Sequence, residues 1–247
     1  MATERLSKVL VLCGMGSRRK SDEIVRSGRI KVNNVKVIEP WYQVNYTDDI
    51  ITCDNKRIYA LTAKKYILLN KPRGYLSDLA GTKDQRLARD LLKEKGFLFP
   101  VGRLDYNSEG LLIFTNDGDF ANKVMHPRYG IEKEYMVKFS GVLTGDEVGL
   151  ALRGLSIEGE PYRLKALRPV RTTAENSWYS ACVTEGRNRI IRKIGDELNH
   201  PVLKLKRIRI GTVKLGNLRP GESRDMETHE VEAMLRQAAI AGESIHE

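Results

Sequence analysis

The sequence predicts an α+β protein in two parts. A small N-terminal α/β module spans residues 1–60, a linker follows at 61–65, and a larger domain over 66–247 is built on a mixed, largely antiparallel sheet. Three observations carry this reading. A chain of 247 residues holds one large domain or a large and a small one. Its first 60 residues pair two runs of helical spacing with a hairpin signal. From residue 66 onward strand-like runs dominate without regular β-α-β alternation, which disfavours a doubly wound fold.

The elements follow in order. Leu6, Val9, Leu10 and Leu12 fall at helical spacing, and Gly14 ends the run. A basic helix covers residues 17–27, with Ile24 and Val25 turned inward and Gly28 as its stop. Ile30 and Val32, the turn Asn33-Asn34, then Val35 and Val37 mark a hairpin. Residues 40–58, with turns at Asp48-Asp49 and Asp54-Asn55, complete the module. In the larger part, Tyr66-Ile-Leu-Leu-Asn70 reads as a buried strand ended by Lys71-Pro-Arg-Gly74. Residues 87–95 read as a helix stopped by Gly96, and 119–125 as a short helix. Residues 135–139 alternate, with Tyr135, Val137 and Phe139 on one face. Residues 178–184 and 204–210 are further strands, the second alternating imperfectly, and an acidic helix runs over 227–239.

Composition narrows the function classes. No apolar run approaches the roughly 18 residues that span a bilayer, and Met-Ala-Thr-Glu-Arg lacks the apolar core and cleavage site of a signal peptide. Cys13, Cys53 and Cys182 are widely separated and odd in number, offering neither zinc spacing nor a disulfide framework. A cytoplasmic protein without a metal site is the simplest expectation. The net charge of +10 is segregated. Residues 161–220 carry 14 Lys and Arg against 4 Asp and Glu, and residues 1–100 carry 20 against 11, whereas the intervening stretch and the C-terminal end are acidic. Two basic blocks fit a polyanionic partner, because phosphate contacts release counterions and dominate affinity. Lysines facing only solvent are the plain alternative.

One segment concentrates the chemistry. Gly102-Arg-Leu-Asp-Tyr-Asn-Ser-Glu-Gly110 places Asp105 after an Arg-Leu pair, ahead of the apolar run Leu111 to Phe114 and the turn Asn116-Asp-Gly118. A polar turn feeding a buried strand suits a carboxylate held rigidly at a cleft edge; on turn chemistry alone it is equally a hairpin with a surface Asp. The segment resembles the catalytic motif of the bacterial ribosomal-RNA pseudouridine synthases, the RsuA-like family, in which the Asp of Gly-Arg-Leu-Asp is essential. The likeness extends over most of the chain. Asn70-Lys-Pro-Arg-Gly74 is similar to the opening strand and turn of the synthase domain. Glu132-Lys-Glu-Tyr135 is similar to the family's Lys/Arg-x-Tyr strand, and Glu185-Gly-Arg-Asn-Arg-Ile-Ile-Arg-Lys193 to its Glu-Gly-Arg-Asn-Arg-x-Val-Arg-Arg segment. The first 60 residues resemble an S-four-type RNA-binding domain.

The resemblance implies roles. Asp105 is the essential catalytic aspartate, Tyr135 stacks on the target base, Arg192 is the basic partner of Asp105, and Ile191 packs near the base. Arg187, Arg189 and Lys193 meet RNA phosphates, and Arg18, Arg19, Lys20, Arg26 and Arg29 form the RNA face of the module. Apart from the resemblance, Arg103 is well placed, two residues before Asp105, to fill the vacancy left by a flipped base or grip an adjacent phosphate. Ile190 departs from the polar residue usual at its position. No cofactor is implied, the partner is ribosomal RNA, and the protein is expected to act as a monomer. Met125-His-Pro and the Glu185 segment look more like the large-subunit branch of the family. A small-subunit synthase, a non-catalytic ribosome-assembly factor and a nucleoside hydrolase or glycosylase using the same Asp stay open as alternatives.

Overall fold

A computed structural model of the chain describes residues 3–59, 63–82, 84–94 and 96–243. Positions 61 and 62 of the expected linker and position 95 of the expected helix lie outside the described residues. The chain divides into two compact units, Met1–Lys65 with Glu94–Phe99, and Tyr66–Lys93 with Pro100–Glu247. Residues 94–99, which the sequence places in the larger domain, group with the first unit. No helix among the described residues is long and apolar enough to cross a membrane.

In the first unit, α1 (Leu6–Leu12) buries Leu6, Val9 and Leu10, the three positions its spacing brings to one face. Helix α2 (Arg18–Arg26) starts where the Ser17 hydroxyl accepts from the Lys20 amide at 3.3 Å, a cap worth about 1 kcal/mol. It ends at Ser27, followed by Gly28 in the left-handed region. Its Ile24 and Val25 pack into one core with α1 and the inward residues of a four-stranded antiparallel sheet. That sheet has the order β2 (Val35–Val37), β1 (Ile30–Val32), β3 (Ile51–Cys53), β4 (Lys56–Arg57). Arg18, Arg19, Lys20 and Arg26 stay on the solvent face of α2.

The second unit is organised by a nine-stranded sheet. Its main path runs β8 (Ala166–Thr172), β9 (Asn176–Val183), β7 (Lys133–Ser140), β10 (Val202–Ile210), β6 (Glu109–Thr115), β5 (Tyr66–Lys71) and β11 (Ser223–Asp225). Along this path only β10 and β6 pair in parallel; the rest are antiparallel. The sheet is therefore mixed and largely antiparallel, and with six α-helices among the described residues the chain is α+β. Strand β6 is buried from Gly110 to Thr115, which is why it reads as a continuous apolar run rather than an alternating one. Helices α3 (Gly118–Met125), α4 (Gly145–Arg153), α5 (Ile190–Glu197) and α6 (Thr228–Glu243) accompany the sheet. Val137 and Phe139 of β7, Tyr179, Ala181 and Val183 of β9, Leu205 of β10 and Ile190, Ile191 and Ile194 of α5 form one core cluster, with Tyr135 packed against it.

Three differences from the sequence reading have physical causes. The expected helix over 87–95 is a single 3-10 turn, Ala88–Leu91. Leu87 is extended and bridges to Leu76, so the Ala88 amide donates to the Leu76 carbonyl at 2.7 Å instead of entering a helix. Helix α4 is an addition to the expected elements, although Thr144 and Glu147 form a capping box at its start. The imperfect alternation of residues 204–210 is a β-bulge. Glu134 pairs with Arg209 and Tyr135 with Arg207, leaving Ile208 without a partner on β7. The bulge reverses the parity of β10, so Leu205, Arg207 and Ile210 are the buried positions.

Candidate active site

The loop bearing Asp105 is fixed from beneath. Lys71, the last residue of β5, is fully buried and donates to the carbonyls of Pro72 at 3.0 Å, Asp105 at 3.2 Å and Ser108 at 2.8 Å. Burial lowers its pKa to about 8, against the opposing pull of Asp105. The buried Ser77 hydroxyl donates to the Leu104 carbonyl at 2.8 Å and accepts from the Leu104 amide at 3.0 Å. Both carbonyl and amide of the residue before Asp105 are thereby satisfied inside the protein, so the turn has little freedom.

Asp105 is about one-third exposed and faces two arginines. Arg192 Nε lies 3.6 Å from Asp105 Oδ2, and Arg189 Nη1 lies 4.0 Å from the same oxygen. The expected Asp105–Arg192 pair is present as an ion pair, not as a two-pronged hydrogen bond. Arg192 Nη1 donates to the Val202 carbonyl at 3.1 Å and Nη2 to the Ser108 hydroxyl at 3.3 Å, which aims the guanidinium without spending it on the carboxylate. Burial and the neighbouring charge of Arg189 lower the Arg192 pKa from the usual arginine range, and Asp105 opposes that shift. Arg189, expected at a phosphate, takes a left-handed backbone at the start of α5 that brings it to the carboxylate.

Asp105 opens onto a pocket of about 790 Å³. Its walls include Leu104, Tyr135, Val183, Ile190, Ile191, Leu205 and Ile210, with Arg103, Arg187 and Arg189 among its polar lining. Ile190, the departure from the family pattern, is buried in the core cluster, a position that suits an apolar side chain. Arg192 is not part of the lining; it stands behind Asp105. Arg103 is largely exposed and pairs with Asp78 at 3.0 Å. Arg187 pairs with Glu185 at 2.9 Å and Glu160 at 3.4 Å, and Lys193 with Glu158 at 2.6 Å. In the first unit, Lys20 pairs with Glu23 at 3.2 Å, Arg29 Nε donates to Asp54 at 3.0 Å, and Arg26 lies over the Trp41 ring at 5.7 Å.

Comparison with known proteins bears on this site. The RNA pseudouridylate synthase family model matches residues 65–195, and the S4 domain model matches residues 4–51. The chain belongs to the RNA pseudouridylate synthase family. It is 37% identical over 216 residues to an uncharacterised RNA pseudouridine synthase of Aquifex aeolicus, covering 87% of this chain and 86% of that one. It is 36% identical over 238 residues to the ribosomal large subunit pseudouridine synthase B of Bacillus subtilis, covering 94% and 95%. A crystal structure of a pseudouridylate synthase matches with a TM-score of 0.65 at 24% identity, over 94% of this chain and 99% of that one, and supports the fold.

Three residues of the synthase pocket region are given no individual role by the sequence reading. Lys71 reads there only as part of the turn that ends the run 66–70, yet it is fully buried. Lys133 and Arg207 both line the pocket and are 9% and 4% exposed. Lys133 shares the parity of Tyr135 on β7, which is a usable signal; Arg207 is hidden by the bulge at Ile208.

Proposed function

We propose that this synthase isomerises a specific uridine of large-subunit ribosomal RNA to pseudouridine, acting in the cytoplasm as a monomer. The observation that carries the reading is the placement of Asp105 at the edge of the pocket, with Arg192 behind it and the Tyr135 strand forming a wall. The relatives named for the large subunit align over most of the chain, which favours that subunit over the small one. An assembly factor without catalysis has no use for a carboxylate flanked by two arginines at a pocket.

The reaction breaks the bond between ribose C1′ and uracil N1, turns the base and joins C5 to C1′, with no redox change. Asp105 serves as nucleophile at C1′ or as stabiliser of an oxocarbenium-like ribose. Arg192 and Arg189 keep it charged and directed. Tyr135 supplies a ring face for the flipped base, which must leave its stack at a cost of a few kcal/mol. In an elimination route the C2′ proton passes to a base, a role the Tyr135 oxygen fills only once its own phenolic proton has been given up.

Asp105→Asn preserves shape but neither attacks nor carries charge. The variant should lose at least about 10³-fold in single-turnover rate with RNA affinity nearly unchanged. Chemical mapping of pseudouridine in ribosomal RNA from cells with and without the gene, and after treatment with the variant, tests both the target and the role. Substantial product from the variant rejects the assignment of Asp105, and release of free uracil identifies a glycosylase instead.

A further inference from the structure

Among the described residues the second unit buries three cations, and they are not alike. Lys71 is satisfied in the way structural buried lysines are, by three carbonyl oxygens at 2.8–3.2 Å. Lys133 has one acceptor, the Thr184 carbonyl, at 3.5 Å, beyond the usual range of an N–H···O bond. Arg207 has one good bond, Nε to the Leu111 carbonyl at 2.7 Å. Its Nη1 reaches the Arg103 carbonyl at 3.5 Å and the Tyr135 hydroxyl at 3.4 Å, and its buried Nη2 has no partner among the described residues. Both residues line the pocket, on neighbouring strands, beside Tyr135.

No carboxylate among the described residues is positioned to neutralise them. Glu132 and Glu134 flank Lys133 in sequence but, by strand parity, face the other side, where they bind Lys165, Arg209 and Ser180. Glu185 is engaged by Arg187, and Asp105 by Arg192 and Arg189. Two adjacent buried positive charges without a counter-ion are costly in an empty site. Burial and the Arg207 charge together lower the Lys133 pKa to about 8, with only Cys182 acting in the other direction, so the ammonium still holds its proton at neutral pH.

The pocket around this pair is apolar and suited to a flat ring: Val183, Leu205, Ile191 and Ile210 together with the Tyr135 ring. We infer that Lys133 and Arg207 form an anion-binding floor that holds the uracil ring as its anion between detachment and rejoining. This rests on the reaction proposed above. When C1′–N1 breaks, the electron pair leaves with the base and its charge spreads over N1, O2 and O4. C1′ is meanwhile taken by a carboxylate oxygen of Asp105, or C2′ gives up a proton to a base. Rejoining uses the base's electrons to form C5–C1′ as the Asp105–C1′ bond breaks or the C2′ proton returns. C5 then loses its proton and N1 gains one, leaving no net change in atoms or electrons. By either route the base is an anion while it turns, and preset N–H donors in a dry site stabilise that charge far more than exposed ones would. A phosphate, the other anion of the substrate, is matched to exposed cations such as Arg103 rather than to this buried pair.

The test needs no turnover. Binding of 5-nitrouracil, a monoanion near neutral pH, is compared by NMR titration with uracil and with thymine, a neutral ring substituted at the same carbon. Wild type should bind the anion at least about tenfold more tightly than either neutral ring. Lys133→Met and Arg207→Lys should each cut that preference by about tenfold, as expected for charge-assisted bonds. Lys133→Met should leave neutral-ring binding and the melting temperature unchanged or raised, since it removes a buried charge. Absence of the preference in wild type, or its survival in Lys133→Met, overturns the inference. Pseudouridine formation by wild type is measured in parallel. If it fails while the anion preference holds, the reaction assignment falls and the floor stands; if product forms without the preference, the floor falls and the reaction stands.

Discussion

Asp105 is controlled first by Arg192, which lies outside the pocket lining. Arg192 sits behind it with two of its nitrogens tied to Val202 and Ser108, while Nε faces the carboxylate at 3.6 Å. Arg192→Lys keeps a charge but gives up the planar fork that lets one group hold all three partners. A displacement of the order of 1 Å at the carboxylate costs about 10²-fold in rate, which is the fall expected in single-turnover assays at saturating RNA. Arg192→Met should be worse, because a partly dry carboxylate loses its nearer cation. Arg189 stands 4.0 Å from the same oxygen, so the two arginines share one function. The double variant Arg189→Met/Arg192→Met should therefore lose more than the sum of the two single losses in free energy, a coupling that a double-mutant cycle measures directly. Strict additivity would mean that Arg189 serves only phosphates, as its sequence context alone implies. Motifs in the sequence locate Asp105, Tyr135 and Arg192, but the convergence of Arg189 depends on a left-handed residue at the start of α5, which no spacing reveals.

At the scale of elements, the parallel junction of β6 and β10 joins the Asp105 loop to the strand carrying Arg207. Gly110 makes the junction possible: it has φ +107° and pairs with Arg207, and a Cβ there would stand 2.2 Å from the Arg207 carbonyl oxygen. Gly110→Ala should destabilise the protein by about 2–4 kcal/mol, read from urea unfolding at unchanged m-value. A loss under about 0.5 kcal/mol would show that the two strands separate easily. How legible an element is depends on whether local signals decide it. Helix α2 is legible because its caps Ser17 and Gly28 and its inward Ile24 and Val25 agree with one another. The segment 87–95 is not, because a tertiary bridge from Leu76 claims the backbone that would have made a helix. In β10 the alternation fails at Ile208 for the same kind of reason: the register of a neighbouring strand, not the local pattern, decides which side chains turn inward.

Over the whole molecule, positive charge is abundant, but the ion pairs separate cations held by carboxylates from those that face none. Arg29 is tied to Asp54, Lys20 to Glu23, Arg187 to Glu185 and Glu160, and Lys193 to Glu158. Arg18 and Arg19 are exposed on α2 with no carboxylate partner among the described residues, which makes them the stronger candidates for binding phosphate. Because residues 94–99 group with the first unit, deleting the first 60 residues would leave part of that unit behind. Substitution in the full chain is the cleaner experiment. Arg18→Gln with Arg19→Gln should weaken ribosomal-RNA binding. The dependence of log K on log salt should flatten by roughly one unit for each phosphate that is no longer neutralised, about two in all. The single-turnover rate at saturation should stay near wild type, since every proposed catalytic group lies in the other unit. Arg29→Gln is the informative comparison. Its guanidinium already has a carboxylate, so its removal should move the salt slope by well under one unit. If Arg29→Gln flattens the slope as much as either neighbour does, the Arg29–Asp54 pair opens on RNA and ion pairing in the free protein is a poor guide to which arginines bind.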